Sequence, residues 1–463
     1  MSQVAQYFAE NQFCVFVEYL PAMKEILPVT THLSDFPTCI TLSDRVHDDQ
    51  EQSPLLTAKL YPEHIDKILH YAGKDRDIKD FEIFLEQAQN AGHENLLLLT
   101  GDKLKHHKDG SNQYPKTRYL ESVNAVMAAK QWGGFNIGVA FNPFKYAAAE
   151  KAAQYFKLDK KMKAGADYII TQLGFDLSAL KEIKQFVEHE YPLQKILACV
   201  MPLTLARAQF MVKQKVAGIV ITQHVIDVLQ QEKNEQNEDN AYLRCALQIL
   251  ICKHWGYAGV HLSACHKPNQ QAKLEHYLDQ YKNLNLDECL ALWQRLWQVQ
   301  DDLAFQPIVE PIETPVSVQR KLKYYFLDFL HDTLFNSNIA KRGGAFVFQA
   351  DFRQHRLAEK ILLRAEYLTK HPIVGCEMCG QCRLGETLYI CPETCPKGLA
   401  NGPCGGTTLD VCEFGDRECI HSTKARLAKE IQQEGVLKNE LIPTVPIERR
   451  GTSSWKNWYS IEA

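Results

Sequence analysis

Between residues 13 and about 270 the chain alternates short apolar runs, rich in β-branched residues, with longer stretches of helical periodicity. The runs are Phe13–Leu20, Cys39–Ser43, Lys67–Tyr71, Asn95–Thr100, Phe135–Phe141, Tyr168–Leu173, Lys195–Met201, Ala217–Thr222 and Tyr257–Leu262. Asp80–Ala91, Tyr119–Gln131, Ala147–Ala164 and Leu177–Glu190 read as helices between them. Runs that are apolar on both faces and separated by helices predict a parallel sheet covered by helices. Eight such units over about 250 residues suit a closed (β/α)8 TIM barrel. A doubly wound open sheet is the alternative that periodicity leaves standing. Nine runs are one too many; Ala217–Thr222, whose flanks suit a long connection, is the surplus.

Polar residues collect where these runs end: Glu18, Ser43 with Asp44, His70, Asp102, Asn142, Gln172 and His261. In a barrel the C-terminal strand ends form the catalytic face, although polar residues also simply begin loops. Past residue 285 the pattern turns helical, over Cys289–Asp302 and Val316–Asn336, with Pro307–Pro315 as a linker between them. Thr423–Gly435 reads as a further helix and the remainder as an extended tail. The predicted organisation is a barrel over 1–285, a helical connector over 286–345 and a cysteine-rich domain over 346–463.

The chain has 463 residues, 52 Lys and Arg against 56 Asp and Glu, and a net charge of −4. That balance gives no drive toward nucleic acid or an anionic membrane. The N-terminus lacks a basic stretch followed by an apolar one, and no apolar run approaches the roughly 18–20 residues that span a bilayer. The expectation is a soluble cytoplasmic protein.

Cysteine changes the picture. Eight of the 15 lie in the 44 residues from Cys376 to Cys419, and an odd total argues against a closed disulfide framework. The cluster reads Cys376-x2-Cys379-x2-Cys382, then Cys391-Pro, Cys395-Pro, Cys404, Cys412 and Cys419, with His421 as a possible substitute ligand. A thiol triplet at x2 spacing with a later Cys-Pro matches the pattern that wraps a [4Fe–4S] cube. Zinc prefers paired knuckles with four ligands in total, so zinc stays open, as do one cluster plus one zinc, or two centres. No G-x-G-x-x-G follows a strand and no P-loop occurs, so no Rossmann half holds a nicotinamide. His106–His107, in a Lys-rich stretch, read as a solvated loop.

Taken in order, the barrel motifs resemble the flavin-dependent methylenetetrahydrofolate reductase family. Phe16-Val-Glu18-Tyr-Leu-Pro21 is similar to that family's F-E-F-F-P-P. His70 and Lys74-Asp-Arg-Asp77 match H-L-T-C-R-D-R-N, and Gly101-Asp102 matches the end of R-G-D. Ile137-Gly-Val-Ala-Phe-Asn-Pro143 follows, and Ala164-Gly-Ala-Asp-Tyr-Ile-Ile-Thr-Gln172-Leu-Gly-Phe-Asp176 resembles A-G-A-x-x-x-I-T-Q-x-x-F-D. Cys379-Gly-Gln-Cys382, Cys391-Pro-Glu-Thr-Cys395-Pro-Lys397 and Asn401-Gly-Pro-Cys404-Gly-Gly406 are similar to a C-terminal module fused to or partnering some members. The resemblance covers roughly residues 13–265 and 370–425.

The resemblance implies that reduced flavin passes hydride to 5,10-methylenetetrahydrofolate, giving 5-methyltetrahydrofolate. It puts Glu18 at the general acid, with its pKa raised by an apolar strand. Asp102 falls at the carboxylate between flavin and pterin, and Gln172 at a pterin contact. Ser43, His70, Thr100, Gly101, Asp102, Ala140, Phe141 and Lys161 fall at flavin positions. Thr100 replaces the family's arginine, Ser43 a threonine, and Gln154 an acidic contact, which leaves FAD against FMN open. The implied donor is NAD(P)H or, through an iron–sulfur centre, an electron-donor protein. The eight cysteines are the implied metal ligands, and a homo-oligomer is possible. Two other readings remain: a folate methyltransferase or demethylase with a zinc–thiolate site, and a non-catalytic partner subunit.

Overall fold

The structure, a computed structural model, describes residues 2–20, 28–46, 51–103, 119–307, 315–337, 341–342 and 356–461. Eight parallel strands form the first architecture: β1 (Cys14–Tyr19), β2 (Phe36–Leu42), β3 (Lys67–Ala72), β4 (Asn95–Leu99), β5 (Asn136–Phe141), β6 (Tyr168–Leu173), β7 (Lys195–Val200) and β8 (Gly259–Leu262). Each strand pairs with the next, and β1 pairs with both β2 (Glu18 opposite Thr41) and β8 (Phe16 opposite His261). That double pairing closes the sheet into a (β/α)8 barrel and excludes the open alternative. A two-residue strand, His32–Leu33, adds antiparallel to the start of β2.

The strands are buried because both faces are covered. Side chains such as Phe16, Ile40, Leu69, Leu98 and Tyr168 are fully or almost fully shielded from water. Closure at β1–β8 needs a glycine: a Cβ on Gly259 would sit 2.2 Å from the Cys14 carbonyl oxygen. The short helix Gln3–Ala9 lies at the N-terminal end of the barrel, where Ser2 Oγ donates to Asn95 Oδ1 and the Val4 N–H to Asp66 Oδ2.

Eight of the nine expected runs are strands. Ala217–Thr222 is not. It is part of the loop between helices Leu205–Gln214 and Gln223–Asn234, in the long passage from β7 to β8. Its apolar residues are only partly covered by the barrel's core, so a β-like composition met no neighbouring strand to pair with.

The helical stretch past residue 285 divides its contacts. Helix Leu286–Trp297 packs against helix Asn240–His254 of the barrel, and Cys289, Trp293, Trp297 and Phe305 join the barrel's core. Helix Val318–His331 instead buries Tyr324 with Leu388, Tyr389, Leu427 and Leu437 of the C-terminal region. Most of the expected linker, 308–314, lies outside the described residues, as do His106 and His107. The tail is not simply extended: it carries a turn of 3-10 helix at Ile447–Arg449 and helix Ser454–Ile461. Among the described residues no helix is long and apolar enough to cross a membrane.

Candidate active site

At the C-terminal end of β1, Glu18 accepts a hydrogen bond from Ser43 Oγ at 2.8 Å, just past the end of β2. His261 on β8 shares a hydrogen bond with Thr41 Oγ1 at 2.9 Å through Nε2. Its Nδ1 faces Ser263 Oγ at 3.4 Å and Cys199 Sγ at 3.7 Å. The His70 ring, on β3, lies 5.7 Å from that of His261. Strand alternation aims these side chains, from five neighbouring strands or strand ends, into the barrel interior. The sequence marked Glu18, Ser43, His70 and His261 as strand-end polar residues. Thr41, Cys199 and Ser263 it missed, because a hydroxyl or thiol inside an apolar run reads as core.

The electrostatics of this cluster correct one expectation. Burial pushes the Glu18 carboxyl up, but His261, His70 and the hydroxyls of Ser43 and Ser263 pull it down, and the balance lies below the ordinary carboxylate range. The apolar strand alone would have raised it. The imidazoles exert their pull only when protonated, however, and burial drives His70 down to about 3 and His261 below its usual value. The charge on Glu18 and on its histidines is therefore one coupled equilibrium.

The other marked residues take several positions. His70 Nε2 is buried with no hydrogen-bond partner among the described residues, and so is Gln154 Nε2 on helix Ala148–Ala164. Lys161, on the same helix, donates to the Ala140 carbonyl at 2.5 Å, and Phe141 packs against Tyr155. Thr100 bonds Ser122. Gln172 turns back: its Oε1 accepts from the Leu173 N–H, and its Nε2 reaches the Ala217 carbonyl at 3.4 Å. Asp102 is exposed at the rim and is not brought into the Glu18 cluster by any described contact; it lies within electrostatic reach of Lys397.

Lys397 belongs to the cysteine-rich region, which sits on this rim. Its Nζ donates to the Gly101 carbonyl at 2.8 Å and pairs with Glu413. Asn142, past the end of β5, donates to the carbonyls of Gly218 and Gly405, and Lys145 to those of Gly405 and Thr407. Below them, buried Glu121 pairs with Lys157 at 3.0 Å and accepts from the backbone of Ala400 and Asn401. Of these linking residues the sequence marked Asn142 as a strand-end polar residue, but the contacts themselves were not legible in it, since the partners across the two regions are 260 to 296 residues apart.

All eight clustered cysteines are free thiols. Cys376, Cys379, Cys382 and Cys391 line one cavity, with Lys370 Nζ 3.6 Å from Cys382 Sγ. Cys395, Cys404, Cys412 and Cys419 influence one another electrostatically nearer the rim, where Cys404 donates to Glu413. Among the described residues no three of His, Cys, Asp or Glu converge as a single metal ion requires.

Comparison with known proteins bears on the family of the chain. Residues 33–279 match the family model for methylenetetrahydrofolate reductase, and residues 356–447 match one described as methylene-tetrahydrofolate reductase C terminal. Methylenetetrahydrofolate reductase 1 of Schizosaccharomyces pombe is 26% identical over 172 residues, which span 37% of this chain and 28% of that protein. Among solved structures, an uncharacterized protein from Clostridium thermocellum that binds two copies of 5-methyl-5,6,7,8-tetrahydrofolic acid aligns with a TM-score of 0.42 at 12% identity. That alignment covers 61% of this chain and 99% of that one. Tryptophan synthase from M. tuberculosis aligns at a TM-score of 0.26 and 10% identity, covering 64% and 98%. Likeness at that level speaks to neither ligand nor activity. The family model spans more than half of the chain, and the chain belongs to the methylenetetrahydrofolate reductase family.

Proposed function

We propose that this protein reduces 5,10-methylenetetrahydrofolate to 5-methyltetrahydrofolate, with Glu18 as the proton donor. The observation that carries the reading is the half-buried Glu18–Ser43 pair beside His261 and His70, at the C-terminal end of a barrel of this family. Opening the methylene bridge needs a proton on the departing nitrogen, and the resulting iminium carbon then accepts hydride. Ser43 orients the Glu18 carboxyl, and His261, anchored by Thr41, stands within its electrostatic reach. Substrate covering the barrel mouth excludes water and pushes the carboxyl up from its lowered value, which favours the protonated acid.

A flavin, FAD in this reading, supplies the hydride when bound. The residues present fit such a group: His70 and Gln154 offer buried nitrogens without partners, and both fall at flavin positions by resemblance. Ser43, Thr100, Gly101, Ala140, Phe141 and Lys161 would complete the cradle, with Asp102 and Gln172 on the pterin side. For the cysteines we infer a [4Fe–4S] cluster in the cavity of Cys376, Cys379, Cys382 and Cys391. The Cys376-x2-Cys379-x2-Cys382 triplet with a later Cys391-Pro is the spacing that wraps such a cube, and these four thiols line one cavity. Cys395, Cys404, Cys412 and Cys419 form the second thiol set.

Glu18→Gln tests the reading. It should cut folate turnover about 10²- to 10⁴-fold while flavin content and folate binding persist; turnover at the original rate would remove Glu18 from the chemistry. Anaerobic protein should carry flavin and about four irons per chain. Zinc in place of iron would keep the reductase and leave the module as a structural staple, whereas a colourless zinc protein would point to methyl transfer.

A further inference from the structure

Lys397 spends a buried charge on the barrel. It belongs to the cysteine-rich region and is 4% exposed. An ammonium taken out of water needs both its charge and its N–H groups answered. Glu413, of the same region, answers the charge, and Nζ lies 5.4 Å from the centre of the Tyr119 ring. Glu413 also accepts from Cys404 Sγ at 3.3 Å, so an ion pair serving only the thiols would be complete within its own region. Lys397 nevertheless donates to the Gly101 carbonyl at 2.8 Å, 296 residues away along the chain.

That contact is one of three that bracket Asp102, just past the end of β4. Before it, Gly101 is held by Lys397. After it, the Lys103 N–H donates to Glu413 Oε1 at 2.7 Å. The Asp102 carbonyl itself accepts from the Tyr119 hydroxyl at 3.2 Å. Two of the three ties therefore come from the cysteine-rich region, and both from a single ion pair. Thr100, the residue before this stretch, is turned to Ser122 instead. Strand-end loops are ordinarily the mobile part of a barrel, and a carboxylate carried on one samples many positions. Here the backbone on both sides of Asp102 is tied down while its side chain remains exposed at the rim.

We propose that Lys397 is a positioning residue of the folate site: with Glu413 it fixes stretch 101–103 and so places the Asp102 carboxylate for the pterin. The inference rests on the reading that puts Asp102 on the pterin side. A carboxylate fixed before the ligand arrives spares the ligand the entropy of ordering it, which is gained as affinity. The cysteine-rich region then completes the substrate site of the barrel, besides carrying the thiols.

Calorimetric binding of 5-methyltetrahydrofolate to the full chain tests this. Lys397→Met should weaken binding about tenfold, but it also strands Glu413 as a buried charge, and a weakened fold would give the same result. Lys397→Met with Glu413→Gln strands no charge. Its melting temperature should return toward the parent's while folate affinity stays about tenfold down. In an Asp102→Asn background the same pair of substitutions should cost little more, because their effect passes through that carboxylate. Affinity that recovers together with melting temperature would make the ion pair a structural staple and overturn the inference, as would losses that simply add in the Asp102→Asn background. A parent chain that binds no folate brings down the folate reading and this inference with it, whereas a parent that binds beside a double variant that binds equally well brings down the role of Lys397 alone.

Discussion

A buried histidine that refuses a proton makes acid a denaturant. His70 has its pKa held at about 3 by burial, against 6.5 for a free imidazole, and His261 is lowered as well. Below the free value the unfolded chain takes up protons that the folded barrel excludes. Stability is therefore full above about pH 6.5 and falls as pH drops toward 3, by up to about 1.4 kcal/mol per pH unit per histidine. Thermal melts at about pH 7 and about pH 5 should show a smaller drop in His70→Asn than in the parent; equal drops would mean His70 is protonated in the fold. At this scale the sequence was informative about which residue types matter, since Glu18, Ser43 and His70 all reach the site. It was misleading about Glu18's surroundings, because the apolar neighbours along β1 are not the residues that face the carboxyl. Those come from β2, β3 and β8.

Elements are held by close approaches that one residue can spoil. Gly259 lets β8 lie against β1 where a Cβ would meet the Cys14 carbonyl oxygen at 2.2 Å, a backbone atom with no room to retreat. Gly259→Ala should cost about 1–3 kcal/mol by denaturant unfolding, the range for forced overpacking. Gly92→Ala, where a Cβ meets nothing within 4 Å, should cost less, and only through its φ of +74°. Strand and helix existence was legible from period alone: Leu177–Glu190 and Tyr168–Leu173 fall where the pattern put them. Ala217–Thr222 was not, because an apolar run becomes a strand only when an unpaired edge is available, and β7 and β8 already pair with each other.

Across the whole molecule, the C-terminal region grips the barrel through buried charge. Glu121 and Lys157 face each other at 3.0 Å, both almost wholly shielded, and Glu121 also accepts from Ala400 and Asn401. Breaking such a pair strands a charge. Lys157→Met should lower stability by about 3–5 kcal/mol and speed proteolysis between the barrel and the region beyond residue 315. Glu121→Gln with Lys157→Met should recover part of the loss, since neither charge is then left alone; a double variant as weak as the single one would count against the pair as the cause.

The sequence by itself determined the alternation of strands and helices, the polar strand ends, and the grouping of eight thiols in one segment, because each is a local property of period or spacing. The tertiary structure decided that the sheet closes, that His261 and His70 stand beside Glu18, and that Lys397, Asn142 and Glu121 bind the cysteine-rich region to the barrel's rim. Those depend on which distant segments meet. The pairing energies that choose among the possibilities lie between residues that no window along the chain contains.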